Sequence, residues 1–184
     1  DIALLRTEDN IICTDCKPIK LVNAINVEEG FTDPGTMATI TGWGLTRTDP
    51  DLLPINLMMA QVPIVSNLTA SVIWKAIPST CVMAGYKEGN KDVCSGDSGG
   101  PLTVIVEGES KIAGITSWGS GDCDTYSGYT RVSTLESWIR SKTGIVDYTL
   151  DVPQGDSVVC QTVVLVLAWN EILFGYLDFL NRRV

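Results

Sequence analysis

The sequence predicts an all-β, antiparallel domain, either a sandwich or a barrel, with one helix at its carboxyl end. Between Gly30 and Val132, short apolar and β-branched runs alternate with glycine and proline, as in "MATITGWG", "PLTVIVEG" and "KIAGITSWG". Short strands with frequent turn residues are typical of antiparallel sheets, whereas alternating β and α units would need longer helical segments. The stretch "VEGESKIAGI" predicts a hairpin with Gly108, Glu109 and Ser110 at its tip.

The single predicted helix lies in "STLESWIRSKTG" and runs from about Thr134 to Thr143. Ser133 followed three residues later by Glu136 is a capping-box pattern, and Gly144 is a typical helix stop. We expect one apolar face of this helix to pack on the sheet. That face consists of Leu135, Trp138 and Ile139.

The bulk composition favours a secreted globular protein. The chain has 184 residues, of which 45% are hydrophobic, and this suffices for a buried core. Its 13 basic and 22 acidic residues give a net charge of −9, which argues against a nucleic-acid or anionic-membrane partner. Six cysteines suggest an oxidising compartment, in which Asn67 of "NLT" is a candidate glycosylation site. The first residue is Asp1 rather than Met, so we expect a processed or incomplete chain.

After the helix the character of the sequence changes. Residues 144–157 are predicted to form a polar, proline-containing linker, and residues 158–184 a strongly apolar tail. The tail is long enough to span a bilayer, but Asn170, Glu171 and Asp178 would be costly inside one. The interpretations left open are a membrane anchor, an amphipathic or docking helix, and an aberrant tail.

The stretch "DVCSGDSGGPL", residues 92–102, is typical of a loop that carries a nucleophilic serine. Residues 96–100 also fit the G-x-S-x-G elbow of α/β-hydrolases, but that elbow needs a helix after the serine and a histidine downstream. Here Pro101 and a β-branched run follow Ser98, and the chain contains no histidine. The glycines instead predict a tight loop between strands, in which the backbone N–H groups of Gly96 and Ser98 can approach a developing oxyanion.

Further motifs precede and follow this loop in a fixed order. They are "DIALLR" (1–6), "TGWG" (41–44), "MAGY" (83–86), "GITSWGSGDC" (114–123) and "GYTRVSTLESWI" (128–139). Together with the serine loop they resemble the trypsin-like serine proteases of the chymotrypsin fold over residues 1–143. The resemblance implies the second antiparallel Greek-key barrel of a double barrel, the last strand of the first barrel and a C-terminal helix. The linker and the tail lie outside it.

The resemblance implies a role for each residue of a catalytic site. Ser98 resembles the nucleophile that forms the acyl-enzyme, and Asp1 resembles the carboxylate that orients the catalytic histidine. Asp97 resembles the residue that pairs with the new terminal amine after zymogen cleavage. In this family the histidine precedes the aspartate, so we expect it in an upstream segment and expect the chain alone to be inactive. The expected partners are a protein or peptide substrate and a protein inhibitor; the alternative function is a non-catalytic homologue that acts as a binding protein.

Asp92 resembles the base of the primary specificity pocket, which implies an arginine or lysine side chain before the scissile bond. Another segment resembles the one that walls this pocket and pairs with the substrate backbone. It consists of Ser117, Trp118 and Gly119. Val93 and Ser127 depart from the family pattern, because a small polar residue often stands at the first position and a glycine usually opens the pocket at the second.

The cysteines match the family pattern only in part. Cys94 and Cys123 match a family disulfide beside the pocket, whereas another family disulfide has lost both members, to Ala38 and Val104. The CxxC pattern at residues 13–16 would leave a zinc ion short of two ligands, because the chain has no histidine and no second CxxC. No metal and no cofactor are therefore implied. Cys13 and Cys16 are instead expected to form a disulfide with an absent segment or with each other, Cys81 has no evident partner, and Cys160 is expected to be free.

Overall fold

The structure of the chain, a computed structural model, describes residues 1–6, 11–13, 18–46, 53–144 and 158–160; of 11–13 and 158–160 it describes the backbone. The strands are β1 (Ile11–Cys13), β2 (Lys20–Leu21), β3 (Met37–Gly42), β4 (Met58–Val65), β5 (Cys81–Ala84), β6 (Pro101–Val106), β7 (Glu109–Trp118), β8 (Ser127–Arg131) and β9 (Val158–Cys160). The helices are α1 (Ala24–Glu28), α2 (Asn67–Ala70) and α3 (Glu136–Thr143), and the 3-10 turn Val132–Leu135 precedes α3.

Strands β3 to β8 form a closed antiparallel barrel. Their order around the barrel is β3, β4, β5, β8, β7 and β6, and the pairings of β7 with β8 and of β6 with β3 close it. Because β6 returns to lie beside β3 after the consecutive strands β3, β4 and β5, the topology is a Greek key. The predicted all-β Greek-key barrel is confirmed, and the sandwich is excluded. Strand β2 lies outside the barrel and pairs in parallel with β7.

The barrel interior is filled by side chains that alternate along the strands. In β6 every second residue is buried, as expected for a strand with one face on a core. Ala38 of β3 and Val104 of β6, which replace the lost family disulfide, are each 1% exposed and belong to the same apolar cluster. Full burial of a valine side chain contributes about 1.5–3 kcal/mol. The other fully buried strand residues of this cluster include Val62, Val82, Leu102 and Val106.

The hairpin between β6 and β7 is present, but its turn differs from the predicted one. Val106 pairs with Glu109, so the turn consists of Glu107 and Gly108 alone, and Glu109 and Ser110 already belong to β7. Both turn residues have positive φ, 52° and 84°. Such a turn matches the twist of the flanking strands, which explains why the prediction of a tip at residues 108–110 was wrong.

The C-terminal helix is confirmed, but its predicted capping box is wrong. Residues 132–135 form a 3-10 turn, so Ser133 does not stand at the start of α3, and no side chain caps it. Glu136 instead accepts hydrogen bonds from Nε and Nη2 of Arg140, at 3.0 and 2.6 Å. Gly144 ends the helix with φ of 71°, as predicted.

The apolar face predicted for α3 is buried unevenly. Ile139 is fully buried and packs with Ile115 and Val132. Trp138 remains 36% exposed, although it lies on the same predicted face. Ile2 and Leu4 pack against the Ile139 cluster as well, so the helix and the first residues of the chain meet on one side of the barrel.

The first three residues of the predicted tail, Val158–Cys160, form β9 and pair antiparallel with β1. The rest of the predicted linker and tail, residues 145–157 and 161–184, lies outside the described residues. The three interpretations of the tail, a membrane anchor, a docking helix and an aberrant tail, concern these same residues. Within the described ranges no helix has the length and apolar character that crossing a bilayer requires.

Candidate active site

Backbone hydrogen bonds to strand β7 hold the two residues that follow Ser98 in its loop. The Gly99 N–H donates to the carbonyl of Thr116 on β7, and the Thr116 N–H donates to the carbonyl of Gly100, each at 2.9 Å. Thr116 therefore fixes the serine loop through both of its main-chain groups. Because β7 pairs with both β6 and β8 in the barrel, the residues after Ser98 are attached to a rigid element.

The glycines of the serine loop are required by its backbone. Gly96 and Gly99 have φ of 97° and 81°, in the region that residues with a Cβ rarely adopt. A Cβ on Gly96 would also lie 3.1 Å from Cα of Gly44, so the loop and the "TGWG" motif are in close contact. Strand β6 begins at Pro101, and the absence of a helix after Ser98 excludes the α/β-hydrolase elbow, as predicted.

The carboxylate of Asp97 joins the serine loop to the "TGWG" motif. Its Oδ1 accepts a hydrogen bond from the Gly44 N–H at 2.7 Å, and its Oδ2 accepts one from the Cys94 N–H at 2.9 Å. A Cβ on Gly44 would lie 2.5 Å from Cγ of Asp97, and a Cβ on Gly42 would collide with the same carboxylate. Both glycines of the motif are therefore needed to admit this side chain.

A cavity of about 220 Å³ lies beside this carboxylate. Its walls come from the "TGWG" motif and the first half of β4, with the segment from Asn90 to Cys94 as its floor. The cavity therefore combines apolar residues with three charged ones, Lys91, Asp92 and Asp97. Met58 and Met59 line it and are also 49% and 70% exposed, so its rim is open and apolar.

Asp92 lines the same cavity as Asp97 and lies beside the confirmed disulfide. The Cys94–Cys123 bond links the Asp92 segment to the segment after Gly119, and its Cα atoms are 5.3 Å apart. Its two cysteines are 29 positions apart in sequence, and a disulfide across such a loop contributes about 2–4 kcal/mol by the chain-entropy argument. Asp92 itself is half-buried, and its Oδ1 accepts from the Val93 N–H at 2.8 Å.

Val93 and Ser127, the two departures from the family pattern, are both buried. Val93 is 8% exposed and packs in the barrel core, so its side chain belongs to the core rather than to a solvating group. Ser127 is fully buried, and among the described residues its hydroxyl has no hydrogen-bond partner. A Cβ on Gly119 would lie 2.5 Å from this hydroxyl oxygen. Ser127 therefore faces the predicted pocket wall at Gly119.

Trp118, the next residue of the predicted wall, packs against Trp74. The rings of Trp74 and Trp118 are 5.0 Å apart and nearly perpendicular, and Trp74 Nε1 donates to the carbonyl of Tyr126 at 2.8 Å. Trp74 thus contacts the end of β7 and the residue just before β8. The sequence analysis did not identify Trp74, because it lies outside the matched motifs.

Tyr129 of β8 is a second residue that the sequence analysis did not single out. It is fully buried, and among the described residues its hydroxyl has no hydrogen-bond partner. Burial raises the pKa of Tyr129 well above its ordinary value, and the nearby carboxylates of Asp92 and Asp97 raise it further. The electrostatic influence of both carboxylates reaches Tyr129 from the segment that contains the serine loop.

Tyr129 should make the fold sensitive to alkaline pH. Below about pH 10 the phenol is neutral in both the folded and the unfolded chain, so it contributes no pH dependence. Above that pH the unfolded chain ionises while the folded chain does not, and the free energy of unfolding should fall by up to about 1.4 kcal/mol per pH unit. Tyr129→Phe should flatten this fall, which urea unfolding between about pH 9 and 11 would measure. Equal slopes for both proteins would contradict this assignment.

Asp1 reaches the barrel through its backbone. Its amino group donates to Oγ1 of Thr130 at 2.9 Å, and the same Thr130 hydroxyl donates to the Asp1 carbonyl at 2.6 Å. Asp1 is exposed, whereas Thr130 is 4% exposed on β8. Ser117, the other predicted residue near this point, lies at a β-bulge between Thr116 and Trp118, a feature that often redirects a side chain.

The candidate glycosylation site lies at the start of α2. Asn67 is its first residue, and its Nδ2 donates to the carbonyl of Pro78 at 3.3 Å. Ser66 caps the helix by accepting from the Thr69 N–H at 2.9 Å. Asn67 is half-buried and Thr69 is exposed, so the tripeptide lies at the protein surface.

In the described part of the chain, the cysteine outside the disulfide belongs to no metal site. Cys81 is buried and is the free cysteine of the described residues. The side chains of Cys13, Cys16 and Cys160 lie outside those residues. In the part of the chain that the structure describes, no group of histidine, cysteine and carboxylate side chains could hold a metal ion.

Known proteins share this sequence pattern. The sequence model of the family described as Trypsin matches residues 1–139. Limulus clotting factor C of Carcinoscorpius rotundicauda is 34% identical over 155 residues, which cover 76% of this chain and 15% of that protein, and clotting factor C of Tachypleus tridentatus gives the same figures. Trypsin 5G1 of Aedes aegypti is 34% identical over 151 residues, which cover 79% of this chain and 53% of that protein. The chain thus spans about half, or less, of the relatives that it matches.

Proposed function

This chain belongs to the trypsin family, and on that basis we propose that it is the carboxy-terminal part of a secreted serine endopeptidase that cleaves after arginine or lysine. The arrangement of the serine loop carries the proposal. Thr116 bonds the residues after Ser98 at 2.9 Å, and Asp97, the residue before Ser98, accepts a hydrogen bond from Gly44 of the "TGWG" motif. A binding protein has no physical need for a serine held in this way.

In the proposed reaction the Ser98 hydroxyl attacks the carbonyl carbon of the scissile peptide bond. A histidine from an upstream segment takes the hydroxyl proton and then gives it to the leaving amine, and Asp1 orients that histidine. The N–H groups of Gly96 and Ser98 stabilise the oxyanion, and water releases the acyl group in the second step. The chain itself contains no histidine, so we propose that it is inactive alone.

We propose that Asp92 binds the arginine or lysine side chain of the substrate. A half-buried carboxylate braced by a disulfide is a suitable partner for a cation, because the attraction between the charges grows as water is excluded. Trp118 and Gly119 wall the pocket on one side, and the hydroxyl of Ser127 faces Gly119 from the other. Because a Cβ on Gly119 would lie only 2.5 Å from the Ser127 hydroxyl oxygen, Ser127 narrows the proposed pocket at this point.

We further propose that Asp97 pairs with a new terminal amine when an inactive precursor is cleaved. The cavity lined by Asp97 supports this, since it places carboxylates next to apolar residues such as Ile40 and Met58, which suit a small apolar terminal residue. The N–H groups of Gly44 and Cys94 already hold the carboxylate in place. Turnover that rises on limited proteolysis of the complete protein, and does not rise in an Asp97→Asn variant, would support the proposal. Full activity of the uncleaved protein would oppose it.

A non-catalytic homologue that binds a partner is the second candidate. The absence of histidine from the chain favours it. Sequencing the gene upstream of the codon for Asp1, followed by a turnover assay of the complete product on peptide amides, separates the candidates. An upstream histidine with turnover supports the protease, and a different residue at the histidine position without turnover supports the binding protein.

We propose that Asn67 carries an N-linked glycan when the protein is secreted. The surface position of Asn67 and Thr69 supports this, and the Cys94–Cys123 disulfide is consistent with an oxidising compartment. Treatment of the secreted protein with an endoglycosidase should increase its mobility on a denaturing gel, and Asn67→Gln should remove that shift. A secreted protein whose mobility is the same before and after treatment would contradict the assignment.

A further inference from the structure

The Thr130 hydroxyl holds the backbone of Asp1 from both sides of its Cα atom. Oγ1 of Thr130 accepts from the Asp1 nitrogen at 2.9 Å and donates to the Asp1 carbonyl at 2.6 Å. A single hydroxyl can do both, because it has one proton to donate and two lone pairs. Thr130 is 4% exposed and lies within β8, so the group that makes these contacts is itself fixed.

The same strand ladder holds the serine loop. Thr130 pairs with Ile115 of β7, and the next pair along this ladder is Thr116 with Tyr129. Thr116 in turn bonds Gly99 and Gly100, which directly follow Ser98. The backbone of Asp1 and the Ser98 loop are therefore attached to adjacent residue pairs of one β7–β8 ladder.

We propose that Thr130 is a positioning residue for catalysis, an inference that rests on the proposed function. Its hydroxyl sets the position of the Asp1 backbone, and hence of the Asp1 carboxylate, relative to Ser98. Valine has nearly the shape of threonine but can neither accept nor donate, so Thr130→Val would release the Asp1 carbonyl and also the Asp1 nitrogen, which is a peptide N–H in the proposed complete protein. A displacement of about 1 Å between catalytic groups can reduce the rate by on the order of 10²-fold.

The experiment compares Thr130→Val with Thr130→Ser in the complete gene product, which supplies the upstream segment. Thr130→Val should lower kcat by roughly 10- to 100-fold with little change in KM, and Thr130→Ser, which keeps the hydroxyl, should restore most of the loss. The acid limb of kcat/KM should also move to lower pH in Thr130→Val, because a displaced carboxylate raises the pKa of the histidine less.

Thr103→Val is the matched control. The Thr103 hydroxyl of β6 donates to the Thr39 carbonyl at 3.3 Å, so this variant removes a comparable bond from the same barrel without touching Asp1. It should leave kcat and the pH profile unchanged. If the wild type is active and Thr130→Val keeps the wild-type kcat, this inference alone would be overturned. The same holds if Thr130→Ser lowers kcat as much as Thr130→Val does. A complete wild-type protein without turnover would overturn the proposed function and this inference with it.

Discussion

Replacement of Ser98 by alanine in the complete gene product is expected to reduce kcat for a peptide amide by roughly 10⁴- to 10⁶-fold. The reason is that acyl transfer needs the hydroxyl oxygen, whereas oxyanion stabilisation and substrate binding alone provide only a small residual rate. The backbone of the loop should persist, because Gly99, Gly100 and Thr116 hold it through main-chain groups that the substitution does not change. Steady-state kinetics on a chromogenic peptide amide would measure the loss.

Ser110→Ala is the matched control for this experiment. Ser110 is exposed at the start of β7, beside the hairpin turn, and pairs with Ile105. The variant loses the same oxygen atom and should keep wild-type kcat and KM. Thermal unfolding of both variants should occur within a few degrees of the wild type. Turnover by Ser98→Ala above about 1% of the wild-type rate would mean that another group is the nucleophile.

The barrel and the serine loop could be predicted because local patterns determine them. Short β-branched runs indicate strands wherever they occur, and the glycines around Ser98 predict a tight loop without reference to distant residues. The Cys94–Cys123 disulfide followed from the family resemblance and is confirmed. Each of these features depends on a short stretch of chain or on a matched motif.

Contacts between distant segments could not be predicted in the same way. Thr130 meets Asp1 across 129 positions, and Trp74 reaches the Tyr126 carbonyl across 52. Such contacts depend on which strands become neighbours in the barrel. Local sequence patterns do not determine that strand order. Even the hairpin turn was misplaced, because Glu107 adopts a φ of 52° that a glutamate rarely takes.

Replacement of Asp92 by serine is expected to change which substrates the complete enzyme accepts. The value of kcat/KM for substrates with arginine or lysine before the scissile bond should fall by about 10²- to 10³-fold. This corresponds to the roughly 3–4 kcal/mol that a buried cation loses when its partner is removed. Substrates with phenylalanine at that position make no ion pair with Asp92 and should be affected much less. A panel of fluorogenic peptides that differ only at this residue would measure both effects.

Asp122→Asn separates the role of Asp92 from the general charge of the region. Asp122 is exposed beside Cys123, so the variant removes one carboxylate from the segment that the disulfide joins to Asp92. Charges exposed to water are screened, and this change should alter kcat/KM for the arginine substrate by no more than about 3-fold. Equal losses in both variants would indicate long-range attraction rather than a pocket. Faster cleavage by the wild type after phenylalanine or leucine than after arginine would refute the role of Asp92, since an apolar guest leaves a half-buried carboxylate without a counter-charge.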